Sequence, residues 1–272
     1  MRIRTITSPA NPRLKWLNQL YKANHRKRER LMLVEGEKEI SMALESGVTP
    51  THLFYSLGNP GKEEERVIEE VVERGGEVFE LGEKAFSKVA YRDSTQGMIM
   101  VVEAPEFRLD WPSSEEALYL VIEGVEKPGN IGAMLRTADA VGCHGVILCD
   151  TGTDLTNPNV VRSSLGTIFS VRVAQVGSRE AVEWLLREGV TIVAATPSGE
   201  RTFTQSPIGE GSVAVAVGNE HQGLSPLWLE KAHLRVKIPM RGRADSLNVA
   251  TSAALMLYEV LRQREFSHPS PG

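Results

Sequence analysis

The sequence predicts an α/β protein with two domains, and three observations carry this prediction. The chain has 272 residues, which is longer than one average domain, and 41% of them are hydrophobic, as in a folded globular protein. Its second half contains continuous apolar runs of the kind that form buried strands of a parallel sheet. These runs alternate with segments of helical periodicity, which is typical of β-α-β units with right-handed crossovers.

The first half predicts a small α/β domain over residues 1–104. Asn11 and Pro12 form a good helix start, and the leucines that follow repeat at helical spacing to open the domain with a basic helix. Short apolar runs and amphipathic segments then alternate: LMLVEG, a helix near residues 37–45, THLFYS, an acidic helix over 62–74, EVFEL and GMIMVVE.

The second half predicts a linker, a larger domain and a short tail. The segment EAPEFRLDWPSSEE has two prolines and five acids without periodicity, which indicates a linker over residues 105–116. The larger domain, residues 117–266, begins with ALYLVIEGV and continues with the runs GVILC, IFSVRVA, VTIVAAT and SVAVAVGN. Helical patterns lie between them at residues 130–141, 157–165 and 179–188, and residues 267–272 form the tail.

Composition argues against several classes of protein. Cys143 and Cys149 are the two cysteines, and they belong to no Cys/His cluster with metal spacing, so we expect neither a disulfide framework nor a metal site. The N-terminus lacks the apolar run of a signal peptide, and no stretch approaches the 18 apolar residues of a membrane span. We therefore expect a cytoplasmic protein that does not associate with membranes.

The first thirty residues are strongly basic, although the net charge of the chain is −4. They hold nine Lys and Arg residues and one acid, a charge of +8, so the other 242 residues carry −12. This asymmetry is expected when one surface meets phosphate, and a solvated helix face is the other interpretation. The residues predicted to bind nucleic acid are Arg26, Lys27, Arg28 and Arg30.

Ligands of open parallel sheets bind beyond the carboxyl ends of the strands, so the loops after the apolar runs form the candidate site. The first loop, EGVEKPGNIGAMLRTADAVG, lacks G-x-G-x-x-G, and Pro128 removes an amide that would bind phosphate. It places Asn130 at a helix entrance and Arg136 six residues later, an amide and a permanent cation that can face one cleft. Helix capping also explains Asn130.

The other two loops carry further polar residues at strand and helix ends. In VGNEHQGLSP, Glu220 follows a buried strand and is either a capping carboxylate or a site residue. In IPMRGRADSLNVATSAALMLYEVLRQR, a strand that ends at Ile238 leads to a long helix starting near Ser246. Ser246 and Asn248 bracket Leu247, where helix amides can bind an anionic ligand or the side chains simply cap the helix.

Together, and in this order, the three loops resemble the motifs of the SpoU/TrmH family of RNA ribose 2′-O-methyltransferases, in the SPOUT superfamily. The motifs are N-x-x-x-x-x-R, GNE-x-x-G-L and I-P-M…SLNV-x-x-x-x-A. LMLVEGEKEISMAL and DSTQGMIMVV are similar to the family's N-terminal substrate-binding domain, which has a ribosomal-protein-like α/β fold. The resemblance implies that roughly residues 210–265 form a trefoil knot, which general topology rules would not predict.

The resemblance also implies the function: S-adenosylmethionine-dependent methylation of a ribose 2′-hydroxyl in structured RNA, with 23S ribosomal RNA favoured over transfer RNA. The implied catalytic residues are Asn130, Arg136, Glu220, Ser246 and Asn248. The implied cofactor-binding residues are Thr196, Gly218, Asn219, Ile238 and Leu247. No divalent metal is needed. A homodimer through the methyltransferase domain is expected, because the family completes its active site from two subunits.

The implied roles centre on Arg136, the residue nearest the transferring proton. Because arginine is only a hydrogen-bond donor, stabilising the developing alkoxide is a physically easier role for it than accepting the proton. Asn130 and Asn248 would orient Arg136 or the ribose, and Glu220 would hold the cation in place.

Two functions of other classes remain as alternatives. A nicotinamide-dependent oxidoreductase would use the β-loop-α unit at residues 118–149 and Asp150, an acid about 20 residues past the loop. It leaves the second and third loops unexplained. A non-catalytic RNA-binding or ribosome-assembly protein would bind RNA without reacting, and the complete set of candidate catalytic residues argues against it.

Overall fold

The computed structural model describes residues 3–58, 60–90, 97–112 and 114–267. Arg2 of the basic arm, the first residues of the DSTQGMIMVV segment and the tail beyond residue 267 lie outside the described residues. Two compact units make up the chain: Met1–Pro105 with Asp154–Ser170, and Glu106–Thr153 with Val171–Gly272.

Strands and helices alternate along the described chain. The strands are β1 (Arg4–Ile6), β2 (Leu31–Glu35), β3 (Pro50–Ser56), β4 (Glu77–Leu81), β5 (Met98–Glu103), β6 (Leu118–Glu123), β7 (Gly145–Cys149), β8 (Val173–Val176), β9 (Thr191–Ala195), β10 (Arg201–Thr202), β11 (Val213–Gly218) and β12 (Leu234–Lys237). The helices are α1 (Pro12–Gln19), α2 (Ala23–Glu29), α3 (Glu37–Glu45), α4 (Lys62–Glu73), α5 (Glu83–Val89), α6 (Pro128–Ala140), α7 (Pro158–Ser164), α8 (Thr167–Ser170), α9 (Ser178–Arg187), α10 (Pro226–Lys231) and α11 (Val249–Ser267).

The first unit is built on a five-stranded mixed sheet in the order β1-β4-β3-β5-β2. Strands β1, β4 and β3 are parallel, and β5 runs antiparallel to both β3 and β2. The side chain of Asn11 accepts a hydrogen bond from the Arg13 amide at 2.9 Å, and Pro12 is the first helical residue, so α1 begins where the sequence predicted. Its leucines pack into a core with Phe54, Phe79 and the β5 side chains.

Several elements of the first unit differ from the sequence-based prediction. The single basic helix is instead two helices, α1 and α2, because Leu20 and the two residues after it break the helical run. Strand β1 has three residues and helix α5 has seven, lengths at which hydrophobic periodicity is a weak signal.

Residues 154–170 pack within the first unit, although the predicted division placed them in the second domain. Two ion pairs hold this segment: Arg26 to Asp154 at 2.7 Å, and Arg162 to Glu35 at 2.9 Å. The partners in each pair are more than a hundred residues apart in the chain. The pattern of contiguous apolar runs therefore does not indicate that residues 154–170 pack against the first domain.

The second unit contains a seven-stranded sheet in the order β10-β12-β9-β11-β6-β7-β8. Every neighbouring pair is parallel, which confirms the predicted parallel α/β architecture. Strands β6, β7 and β11 are apolar and almost entirely buried, as expected for strands covered on both faces.

Two predictions for the second unit need correction. Most of the run IFSVRVA precedes the strand: α8 ends at Ser170 and β8 begins at Val173, because a short apolar run does not distinguish helix from strand. Helix α11 begins at Val249, three residues later than predicted.

The segment predicted as a linker packs against the second unit. Trp111 stacks against Tyr119 and leaves no room for a side chain at Gly145.

Two further features concern ligands and membranes. None of the described helices is both long and apolar enough to cross a membrane. Within the described ranges, no group of three or more His, Cys, Asp or Glu side chains is arranged to hold a metal ion.

Candidate active site

A cavity of about 840 Å³ lies in the second unit beyond the carboxyl ends of β9, β11 and β12. This edge is where an open parallel sheet binds ligands, and the volume is within the range of small-molecule sites, about 300–1,000 Å³. The cavity brings together all the residues predicted to bind the cofactor: Thr196, Gly218, Asn219, Ile238 and Leu247.

The loop after β11 is held in a tight, defined shape. A Cβ atom on Gly218 would lie 2.1 Å from the carbonyl carbon of Gly223, so only glycine allows these two backbone segments to approach. The Asn219 side chain accepts hydrogen bonds from the amides of His221 and Gln222 at 3.0 and 2.7 Å. Ser225 follows this loop, and its backbone amide donates a hydrogen bond of 2.6 Å to the buried carboxylate of Glu123 at the end of β6.

Three residues from the three predicted loops meet at the edge of this cavity. Glu220 Oε1 accepts hydrogen bonds from Asn130 Nδ2 at 3.0 Å and from Asn248 Nδ2 at 2.9 Å. Asn248 Nδ2 also lies 3.2 Å from Asn130 Oδ1. Together with Lys127, which binds the other carboxylate oxygen, we call these residues the Glu220 cluster.

Lys127 was not among the predicted site residues. Its Nζ lies 2.9 Å from Glu220 Oε2. The hydrogen bond from Lys127 and then that from Asn130 hold the pKa of Glu220 below its ordinary value, so the carboxylate is ionised at neutral pH. A lysine just before a helix opposes the positive end of the helix dipole, and this signal in the sequence could have pointed to an acidic partner.

Helix capping, the alternative interpretation of Asn130 and Asn248, holds for Asn248 and not for Asn130. Helix α6 begins at Pro128 with Lys127 in the capping position, so Asn130 lies inside the first turn and does not cap the helix. Asn248 does both tasks: its Oδ1 accepts a hydrogen bond from the Ala250 amide at 3.0 Å, and its Nδ2 binds Glu220.

Arg136 and Ser246 lie outside the Glu220 cluster in the single chain. Six residues along an α-helix rotate a side chain to about 120° from the starting face, so Arg136 does not share the face of Asn130. Within the single chain the cation beside Glu220 is Lys127, and a contact between Glu220 and Arg136 stays a prediction. Arg136 is exposed and makes no hydrogen bond or ion pair with any residue that the structure describes, and Ser246 is an exposed residue of the cavity wall.

Arg26 is wrongly assigned as a residue that binds nucleic acid. Its side chain is 2% exposed, and its guanidinium donates to the Leu20 carbonyl at 2.8 Å, to Asp154 at 2.7 Å and to Thr156 Oγ1 at 3.0 Å. Burial raises the pKa of Asp154, but the hydrogen bonds from Thr156 and Arg26 outweigh it and the net pKa is lowered. A guanidinium with this set of partners is a structural ion and is not available to phosphate.

The other three residues predicted to bind nucleic acid, Lys27, Arg28 and Arg30, are exposed. Lys27 and Arg28 lie on α2, and Arg30 follows its last residue in a left-handed conformation with φ of 55°. Arg28 pairs with Glu29 at 2.8 Å, an exposed pair of small energetic weight. Their binding to RNA stays a prediction.

Asp150, on which the oxidoreductase alternative depended, is used elsewhere. Its carboxylate accepts a hydrogen bond of 3.2 Å from the Ser178 amide at the start of α9, and Asp150 is not part of the cavity wall. This is helix capping, and it removes the acid that a dinucleotide ribose would need.

Two family models match the chain. Residues 117–258 match the SpoU rRNA Methylase family, and residues 11–100 match the MRM3-like substrate binding domain. The chain is 32% identical to the 23S rRNA (guanosine(2553)-2′-O)-methyltransferase of Bacillus subtilis strain 168, over 95% of this chain and 99% of that one. It is 33% identical to the 23S rRNA (uridine(2479)-2′-O)-methyltransferase of Streptomyces viridochromogenes, over 96% and 93%.

Solved structures agree with these matches. A crystal structure of an RNA 2′-O ribose methyltransferase superposes with a TM-score of 0.83 at 41% identity, covering 96% of this chain and 99% of that one. The AdoMet-bound rRNA methyltransferase from Sinorhizobium meliloti gives a TM-score of 0.88 at 32% identity, covering 96% and 98%. The chain therefore belongs to the SpoU rRNA methylase family, the RNA 2′-O-ribose methyltransferases that use S-adenosylmethionine as methyl donor.

Proposed function

We propose that this protein methylates a ribose 2′-hydroxyl of 23S ribosomal RNA in the cytoplasm. The observation that carries the proposal is the meeting of Asn130, Glu220 and Asn248 beside the cavity, since these residues come from three separate loops. The two relatives named for 23S rRNA align over nearly their full length and favour ribosomal over transfer RNA.

The cavity fits S-adenosylmethionine in size and chemistry. It combines apolar side chains, among them Val217, Leu224 and Leu247, with backbone groups at Gly218 and Ile238. We infer that Leu247 and Ile238 contact the adenine and that Thr196, Gly218 and Asn219 supply polar contacts. When bound, the cofactor would supply a methyl group on a sulfonium sulfur, with the neutral thioether S-adenosylhomocysteine as the leaving group.

The chain's own residues must orient and activate the ribose hydroxyl, which is a weak acid. The ionised Glu220 carboxylate fixes the amides of Asn130 and Asn248, and these offer polar groups of defined direction to the ribose. We infer that Ser246, which is exposed in the cavity wall, hydrogen-bonds the same nucleotide. The Arg136 guanidinium would stabilise the negative charge that develops on the 2′-oxygen as its proton passes to solvent water.

Arg136 can take this role if a second copy of the chain supplies it. In the single chain it is exposed and lacks a described partner, and α11 leaves Leu255 and Tyr258 40% and 50% exposed. Exposed apolar side chains of this kind favour a contact between subunits. We infer a homodimer through the methyltransferase domain in which Arg136 of one subunit completes the site of the other.

Complementation between two inactive variants tests the shared site. Arg136→Ala and Glu220→Ala are each expected to lower the single-turnover rate by about 100-fold. After an equimolar mixture is refolded, about half of the dimers are mixed and each has one intact site, so about one quarter of all sites should regain the wild-type rate. If the site lies within one chain, every site in the mixture carries a defect and no activity returns.

The trefoil knot over roughly residues 210–265 also remains a proposal. A close backbone approach between two segments that are distant in the chain supports it: at Gly199, a Cβ atom would lie 2.4 Å from the carbonyl carbon of Val236. Segments that pass this closely leave room for glycine alone.

Mapping of 2′-O-methyl groups tests the substrate. RNA from a deletion strain is compared with RNA from its parent, and the purified protein is then added to the unmodified RNA with S-adenosylmethionine. We expect one or a few 23S positions to lack the methyl group in RNA from the deletion strain and to regain it after incubation with the purified protein. A loss in transfer RNA would establish the alternative substrate, and no loss in any RNA would favour a non-catalytic RNA-binding role.

A further inference from the structure

The loop between β12 and α11 carries a concentration of positive charge in an acidic part of the chain. The second unit has 14 Lys and Arg residues against 18 Asp and Glu residues. Lys237, Arg241 and Arg243 nevertheless lie within seven residues, and Asp245 is the first acid after them. A net positive segment on a negative unit indicates a local surface for an anionic partner.

Arg241 and Arg243, like Arg136, have no hydrogen-bond or ion-pair partner among the described residues. Three others are paired: Arg235 with Glu200, Arg262 with Glu259, and Arg264 with the carbonyl of Gly211. Residues 239–246 are all exposed, so both guanidinium groups keep their full set of donors for a ligand.

The position of this loop relates it to the reaction. Met240 and Asp245, which flank the two arginines, line the cofactor cavity, and Asn248 of the Glu220 cluster follows shortly after. Glu220 and Asp245 are acids of the same cavity wall and would repel the phosphates on either side of a target ribose. Cations at this edge are needed to offset that repulsion.

We propose that Arg241 and Arg243 bind the RNA phosphates that flank the target ribose and thereby position its 2′-hydroxyl at the cavity. This inference rests on the proposed function. Phosphate contacts fix the register of a nucleic acid without reading its sequence, and arginine binds phosphate through a planar fork of donors. The two arginines are positioning residues for the substrate and do not touch the methyl donor.

The test compares R241A/R243A with R187A, using an unmodified 23S rRNA transcript as the probe. Arg187 ends α9, which runs antiparallel to the strands, so it lies at the opposite edge of the sheet. Among the residues that the structure describes, its side chain pairs with the neighbouring Glu188. Three quantities are measured for each protein: RNA affinity at several salt concentrations, the single-turnover methylation rate at saturating RNA, and S-adenosylhomocysteine affinity by calorimetry.

For R241A/R243A, each lost phosphate contact should lower the slope of log affinity against log salt by about 0.7 to 0.9. The saturated rate should fall about tenfold or more, because a displaced ribose reacts slowly. S-adenosylhomocysteine affinity should stay within about threefold, and R187A should match the wild type in all three quantities. R241K/R243K keeps both charges and should restore most of the salt dependence.

Two results would overturn the proposal. An unchanged salt slope in R241A/R243A would mean that the arginines bind no phosphate. A large loss of S-adenosylhomocysteine affinity would assign them to the cofactor instead. Failure of the proposed function is distinguishable, since the wild type would then not methylate the transcript at all, while the salt slope would still report on phosphate binding.

Discussion

The Glu220 cluster in the second unit and the Arg26 cluster in the first unit are built alike, and they differ in burial. We define the Arg26 cluster as Arg26 with Asp154, Thr156 and the Leu20 carbonyl. Each cluster has a charged centre with three hydrogen-bond partners. Arg26 is 2% exposed, whereas Glu220 lies in the wall of an open cavity.

This difference determines what each cluster can do. A buried guanidinium whose three nitrogens each have a partner fixes the position of a chain segment, here residues 154–170, and is not accessible to a ligand. An exposed carboxylate that orders two amides beside a cavity provides a prearranged polar surface for a substrate. Loss of the first centre should therefore reduce stability, and loss of the second should reduce rate.

Replacement of the buried centre gives the largest expected effect. Arg26→Ala removes the buried partner of this ion pair, leaves the partly buried carboxylate of Asp154 without it, and should lower the free energy of unfolding by about 3–5 kcal/mol, measured by urea denaturation. Arg28→Ala removes a solvent-exposed pair of the same helix and should cost no more than about 1 kcal/mol. If the two variants lost the same free energy of unfolding, the buried ion pair of Arg26 would contribute no more to stability than the exposed pair of Arg28.

A charge placed in the cavity is the next test. Leu247→Asp should weaken S-adenosylhomocysteine binding about tenfold or more, because the carboxylate must be desolvated in a pocket that is apolar at that point. Leu186→Asp places the same charge on an exposed position of α9 and serves as the control. Normal binding by Leu247→Asp in calorimetry would place the cofactor elsewhere.

The smallest effect concerns the charge state of Glu220. Its pKa is lowered mainly by Lys127, so the ionised form is present above that depressed pKa and is lost as the pH falls through it. Lys127→Met should raise the pKa of Glu220 toward its ordinary value and move the acid limb of the methylation rate to higher pH. Lys231→Met removes the partner of Glu230 on α10 and should leave the acid limb of the methylation rate at the same pH as in the wild type.

The sequence predicted the parallel sheet and the three loops because both depend on local patterns. Continuous apolar runs identified β6, β7 and β11, and the topology of parallel strands brings the following loops to one edge. Asn130, Glu220 and Asn248 therefore met as the family resemblance implied, although they are far apart in the chain.

Other features depended on contacts that no local pattern records. Arg26 had the same sequence context as Lys27 and Arg28, and its burial results from Asp154, which lies 128 residues further along the chain. The direction of Arg136 follows from the rotation of α6, and the role of Lys127 from a partner in another loop. Charge counts located the basic arm as a region and could not say which of its side chains face solvent.

One comparison of rates tests most directly that the Glu220 cluster carries the chemistry and the basic arm does not. Single-turnover methylation of unmodified 23S rRNA is measured at saturating RNA for Glu220→Ala and for the triple variant K27A/R28A/R30A. We expect Glu220→Ala to be slower by about 100-fold, or about 2.7 kcal/mol of transition-state stabilisation, with little change in RNA affinity.

The triple variant should keep its saturated rate within about threefold, while its RNA affinity falls and its salt slope flattens by about 0.7 to 0.9 for each lost contact. A Glu220→Ala rate close to that of the wild type, or a collapse of the saturated rate in the triple variant, would contradict this division of roles.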